Sequence, residues 1–188
     1  MFIHEMFQQK PCVFSVEVFP PKKAGAAEET LYPVLRELCT LGPDYISVTY
    51  GAGGGTAGQS TAKIASYIKN GLHVEALAHL TCVNSTRVQV EETLTRLRED
   101  NVENVLALRG DINPDLPRRM DFLHASDLAK AIAQTGGFGV AGACYPEGHV
   151  ESPSLKADVE SLRYKAEAGV SHLITQLFFD NVSYYRFL

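Results

Sequence analysis

The stretch CVFSVEVFPP, residues 12–21, is short, rich in β-branched and aromatic residues, and closed by two prolines, so it reads as a strand. Side chains alternate along a strand. Val13, Ser15 and Glu17 therefore share one face, and Phe14, Val16 and Val18 share the other. The apolar set belongs against covering helices, which turns Glu17 toward the opposite, interior face. A carboxylate there is costly unless it is paired or protonated. Partial desolvation would raise its pKa and suit it to general acid work. An interior ion pair is the competing account.

Five further apolar, β-rich segments follow. With the first, they begin near positions 12, 44, 74, 104, 138 and 171, so the starts lie 30 to 34 residues apart. Helical stripes separate them: Leu31, Val34, Leu35 and Leu38; Val90, Leu94 and Leu97, opened by Thr86 and Gln89 at capping-box spacing; Leu128, Ala131 and Ile132; and, clearest of all, Leu155, Val159, Leu162 and Ala166 after Ser152-Pro153. Strand and helix alternating at this spacing imply an α/β fold with a parallel sheet and helical crossovers. Two architectures compete, a doubly wound open sheet and a (β/α)₈ TIM barrel. The chain holds six units, which leaves a barrel incomplete, with strands seven and eight missing.

The placement of polar residues favours the barrel. Glu17, Thr49 and Tyr50, His79, Arg109 to Asp111, Tyr145 and His149, and Gln176 lie on or just beyond six different strands. A barrel builds its site from the ends of all its strands, whereas a doubly wound sheet concentrates its site at a switch point.

Composition narrows the function. The chain has 188 residues, 45% hydrophobic and 21% charged, enough apolar material for one domain over residues 1–188. No apolar run approaches the length of a membrane span, and the N-terminus MFIHEMFQQK lacks a signal-peptide core. A cytoplasmic protein is expected. The net charge of −5, without a basic stripe, argues against nucleic acid and leaves room for a small anionic ligand held by a few placed cations. Cys12, Cys39, Cys82 and Cys144 form no C-x-x-C pair; they read as small hydrophobes in a reducing compartment rather than as zinc ligands.

Gly53, Gly55 and Gly58 match G-x-G-x-x-G, but the next strand lacks an acid at its end, so a loop that lets a ligand approach the backbone is the better account. Arg109-Gly110-Asp111 could hold an anion and a heterocycle, or be a plain ion pair. His79 alone would read as a core histidine. His79 and His149 lack a carboxylate at ligand spacing, so no metal is expected. Asp158 and Lys165 lie on one face of the fifth helix, where a solvated surface is the usual reading. No G-x-S-x-G elbow is present.

Together, FSVEVFPPK, YISVTYGAGGGT, AHLTC, NVLALRGD, YPEGH and ITQLFFD resemble the flavin-dependent methylenetetrahydrofolate reductases, from about residue 13 to the C-terminus. The resemblance implies a (β/α)₈ barrel with FAD at the C-terminal ends of its strands. It implies ping-pong chemistry in which NADH or NADPH reduces the flavin and 5,10-methylenetetrahydrofolate then accepts hydride, giving 5-methyltetrahydrofolate for methionine synthesis. By the same resemblance Glu17 is the general acid. Asp111 tunes the flavin and contacts folate, and Gln176 contacts folate and nicotinamide. The flavin contacts become Thr49, Tyr50, Ala52, His79, Arg109, Gly110, Asp111, Ala125, Tyr145, His149, Asp158 and Lys165, with Arg109, His149 and Lys165 serving the pyrophosphate and ribose. Measured against that pattern the chain is truncated at its C-terminal end. Open sheet edges would then weaken FAD binding and drive aggregation or pairing into a homo-oligomer. The rival expectation is a non-catalytic flavin- or folate-binding remnant, or an interaction subunit.

Overall fold

The structure, a computed structural model, describes residues 1–23, 25–50, 57–112 and 119–188. Six parallel strands run through it: β1 (Ser15–Val18), β2 (Tyr45–Val48), β3 (Glu75–Thr81), β4 (Asn104–Leu108), β5 (Gly139–Cys144) and β6 (His172–Thr175). Their order in the sheet is consecutive, β1-β2-β3-β4-β5-β6. A doubly wound sheet would reverse order at a switch point. This one does not, and it forms a half-barrel.

The crossovers are α2 (Ala27–Cys39), α3 (Ala57–Ser66, continued by a π turn over Tyr67–Gly71), α4 (Arg87–Glu99), α5 (Ala125–Thr135) and α6 (Leu155–Glu167); α1 (Ile3–Gln9) precedes the sheet and α7 (Asn181–Phe187) follows it. The larger core joins these helices to the outward strand face, through Val18, Ile46, Val48, Ala76, Ala78, Leu80, Val105, Ala107 and Val140. Val16 packs against the same core. Glu17, between Val16 and Val18, is thereby turned to the inner face, as the alternation in residues 12–21 requires.

The inner face has its own small core. Ile3 and Met6 of α1 pack on Tyr45, Leu77, Leu106 and Ala141, and so close the end of the half-barrel opposite the C-terminal strand ends. Buried Asn104 fixes this plug, its Oδ1 accepting from the Ile3 amide at 2.9 Å and its Nδ2 donating to the Met1 carbonyl at 3.1 Å. The plug was not among the helices expected, because two buried apolar residues in a seven-residue helix, with Phe7 exposed beside them, leave no readable stripe.

Other expectations shift in detail. The Thr86–Gln89 capping box forms. In α2, Tyr32 takes the buried place expected of Val34, stacking on Tyr67 at 3.7 Å while Val34 is exposed. Ser154 caps α6, accepting from the Ala157 amide, in place of Ser152-Pro153. The α6 stripe is the least covered of the four: Val159 and Ala166 are exposed, and Asp158 is the buried residue of that helix. The physical reason is position, since among the described residues β6 has a strand on one side only and α6 packs mainly against α5 and β5. Cys12 is exposed, before β1, whereas Cys82 and Cys144 are buried. No helix among the described residues is long and apolar enough to cross a membrane.

Candidate active site

A cleft of about 1150 Å³ opens at the C-terminal ends of the strands. Ten of the residues anticipated from sequence line it: Glu17, Thr49, Tyr50, His79, Arg109, Gly110, Asp111, Tyr145, His149 and Gln176. Ala125, which opens α5, and Asp158 and Lys165 on α6 stand outside this lining. Ala52, Gly53 and Gly55 lie outside the described residues.

Glu17 reaches the cleft from β1. Ser47 Oγ, on the facing register position of β2, donates to its Oε2 at 3.3 Å. His79 Nε2 lies 3.4 Å from the same oxygen, yet makes no hydrogen bond among the described residues. Distance alone would make this an ion pair. Burial decides otherwise: His79 is 7% exposed, and loss of hydration pushes its pKa down to about 4, so the ring is neutral at pH 7. The Glu17 side chain is 49% exposed, and solvent screens its pull on the imidazole. That exposure also means that the described residues do not supply the desolvation anticipated for Glu17.

The Arg109-Gly110-Asp111 turn leaves β4 with its backbone anchored, since the Arg109 carbonyl accepts from the amides of Cys82 and Val83 at 3.1 and 2.8 Å. Gly110 has φ +84°, and a Cβ there would lie 3.0 Å from Thr81 Cβ and 3.3 Å from Val83 Cγ1. Glycine is therefore required by conformation and by space. Arg109 does not pair with Asp111 as the plain alternative had it. Its Nη1 and Nη2 donate to the two carboxylate oxygens of Glu151 at 2.6 and 2.7 Å.

Glu151 escaped the sequence reading. It sits in the loop between β5 and α6, a polar stretch with no periodicity to single it out. The loop is tied down at several points. The Glu151 amide donates to His149 Nδ1 at 3.2 Å, the His149 amide donates to buried Asp158 at 3.0 Å, and Tyr145 meets the His149 ring edge-on at 4.8 Å. Asp158, 8% exposed, thus braces the cleft from behind and is no solvated surface residue. Lys165 Nζ donates to the Ala143 carbonyl at 2.5 Å, with burial lowering its pKa and Asp158 opposing that. Burial raises the phenol pKa of both Tyr50 and Tyr145, so each hydroxyl stays protonated and can donate. No group of three or more potential metal ligands occurs among the described residues.

The sequence pattern of the methylenetetrahydrofolate reductase family matches residues 2–188. The chain belongs to this family. It is 39% identical over 173 residues to a 5,10-methylenetetrahydrofolate reductase from Pectobacterium carotovorum, covering 92% of this chain and 57% of that relative. It is 34% identical over 201 residues to "Methylenetetrahydrofolate reductase (NADH) 1" of Arabidopsis thaliana, covering 99% of this chain and 34% of the relative. The chain thus spans little more than half the length of the bacterial relative and about a third of the plant one. Among solved structures, a Clostridium thermocellum protein that binds two copies of 5-methyl-5,6,7,8-tetrahydrofolic acid superposes with a TM-score of 0.62 at 16% identity, over 97% of this chain and 60% of that one. At that identity the likeness speaks for the fold alone.

Proposed function

We propose that the chain forms part of the catalytic barrel of a flavoprotein oxidoreductase that reduces 5,10-methylenetetrahydrofolate to 5-methyltetrahydrofolate with NADH or NADPH, in one-carbon metabolism and methionine synthesis. In this reading the half-barrel is part of a (β/α)₈ barrel whose strands seven and eight stand between β6 and β1. The observation that carries the proposal is the convergence of Glu17, Asp111 and Gln176, from three separate strands, on one cleft of a chain in this family.

The residues fit FAD. The cleft exceeds the roughly 300–1,000 Å³ of a usual small-molecule site, which suits a dinucleotide beside a second ring. The wall offers a buried imidazole nitrogen without a partner among the described residues, His79 Nε2, and hydroxyl donors at Thr49, Tyr50 and Tyr145. Arg109 and His149 would serve the pyrophosphate, with Asp158 bracing the His149 loop and Lys165 bonded to the end of β5. When bound, FAD supplies the relay of hydride from nicotinamide to folate. Glu17 would serve as the general acid toward the folate nitrogen as the five-membered ring opens to an electrophilic iminium. Gln176, at the end of β6, offers an amide donor and acceptor that orient the substrate ring. Asp111, exposed at the cleft, sets a negative charge that tunes the flavin.

The test is Glu17→Gln in rapid mixing. NAD(P)H should still bleach the bound flavin, while methylenetetrahydrofolate should no longer restore its colour. Loss of both half-reactions, or of neither, refutes the role of Glu17. A second reading, a flavin- or folate-binding subunit that pairs with another chain, draws on one observation. Among the described residues β1 and β6 each have a strand on one side only, and Leu177 and Phe179 beside that open seam are 71% and 91% exposed. Light scattering together with turnover separates the two.

A further inference from the structure

Glu151 occupies the part of Arg109 that an anion would use. A guanidinium presents five N–H groups. Nε faces the Gly110 carbonyl at 3.3 Å, and the Nη1/Nη2 fork is closed by both Glu151 oxygens. Bidentate pairing of this kind is the geometry by which arginine takes either a carboxylate or a phosphate, so the two compete for one place. The partners are unequal. Arg109 is 23% exposed and rests on an anchored turn, whereas the Glu151 side chain is 53% exposed. The Glu151 backbone is held by His149 Nδ1 and, through the His149 amide, by Asp158.

We propose that Glu151 is an internal competitor for the Arg109 fork, and that it sets how strongly the cleft prefers diphosphate-bearing ligands over uncharged ones. The inference rests on the reading of the cleft as a flavin site, and it assigns to Glu151 a role in selectivity. A ligand phosphate displaces the carboxylate from Arg109. Its negative charge near the incoming phosphates also opposes their binding.

The experiment measures the affinity of wild type and Glu151→Gln for three probes: FAD, riboflavin (the same ring system without phosphate) and inorganic pyrophosphate. Flavins are followed by fluorescence quenching and pyrophosphate by calorimetry. Glu151→Gln should bind FAD and pyrophosphate about three- to tenfold more tightly, the size expected for removing one half-exposed competing charge. Riboflavin affinity should change less than twofold, and the gain for FAD should shrink as salt is raised. Unchanged or weaker binding of FAD in Glu151→Gln would make Glu151 a structural strut and overturn the proposal. Equal tightening of riboflavin would overturn it too, because the effect would not depend on phosphate. If wild type binds neither flavin, the flavin reading fails by itself. The competition is then judged on pyrophosphate, where tighter binding by Glu151→Gln upholds it and equal or weaker binding refutes it.

Discussion

Lowering the pH should destabilise this fold well before its carboxylates protonate, and His79 should account for a large share of the loss. The imidazole has an ordinary pKa of 6.5 and is pushed down to about 4 by burial. Above pH 6.5 neither the folded nor the unfolded chain carries the proton, so the contribution is flat. As pH falls below 6.5 the unfolded chain binds a proton that the folded chain refuses, and stability drops until pH reaches the folded-state value near 4. Integrating between pH 7 and pH 5 gives a loss of about 2 kcal/mol from this residue. With a urea m-value of about 1–3 kcal/mol/M, the midpoint should move down by about 1 M. The assay is urea unfolding of wild type and His79→Gln at pH 7, 6 and 5. The variant is compared by its slope with pH, so any constant loss from the substitution cancels. Its slope should be clearly shallower but not zero, because burial and His4 also push the pKa of His172 down to about 4. Asp44 and Glu103, held below their ordinary values by Lys10 and by the N-terminal amine, lose stability only at lower pH and do not enter this window. Parallel slopes for the two proteins would show that His79 is hydrated, and the account of the Glu17–His79 contact would fall with it.

Gly110→Ala should cost about 2–5 kcal/mol, from placing a side chain at φ +84° and from pressing a Cβ onto Thr81; an unchanged urea midpoint would show that the turn relaxes freely. Asn104→Ala leaves the buried Ile3 amide without its acceptor and should cost about 1–3 kcal/mol, with faster hydrogen exchange confined first to α1; uniform exchange would mean that the plug is not held by this residue. Asp111→Asn should raise the potential of bound flavin and slow folate reduction, measured by redox titration and rapid mixing. An unchanged potential would leave Asp111 without an electronic role.

What the sequence made legible follows from periodicity and alternation. The six strands lie where short apolar runs recur, and Glu17 faces inward because Val16 and Val18 must face the helices. Two features had no such signature. The α1 plug depends on Ile3 and Met6 meeting Tyr45, Leu77, Leu106 and Ala141, contacts between distant parts of the chain that no local pattern encodes. Glu151 is an acid in a polar loop, and only the three-dimensional approach of that loop to the end of β4 gives it Arg109 as a partner. The α6 stripe shows the opposite failure: a strong pattern whose burial depends on neighbours on both sides, of which the described residues supply one. Asp158 on the same helix read as surface because its partner, the His149 amide, belongs to the backbone and carries no residue signal.

The central claim is that the cleft at the strand ends holds a flavin that passes hydride to folate. The most direct measurement is the visible absorption of the purified protein mixed with FAD, freed of excess, and exposed anaerobically to NAD(P)H and then to methylenetetrahydrofolate. The account predicts retained flavin colour, bleaching by the nicotinamide, and return of the colour with folate, accompanied by 5-methyltetrahydrofolate. A protein that retains no flavin, or whose reduced flavin is not reoxidised by folate, would contradict it.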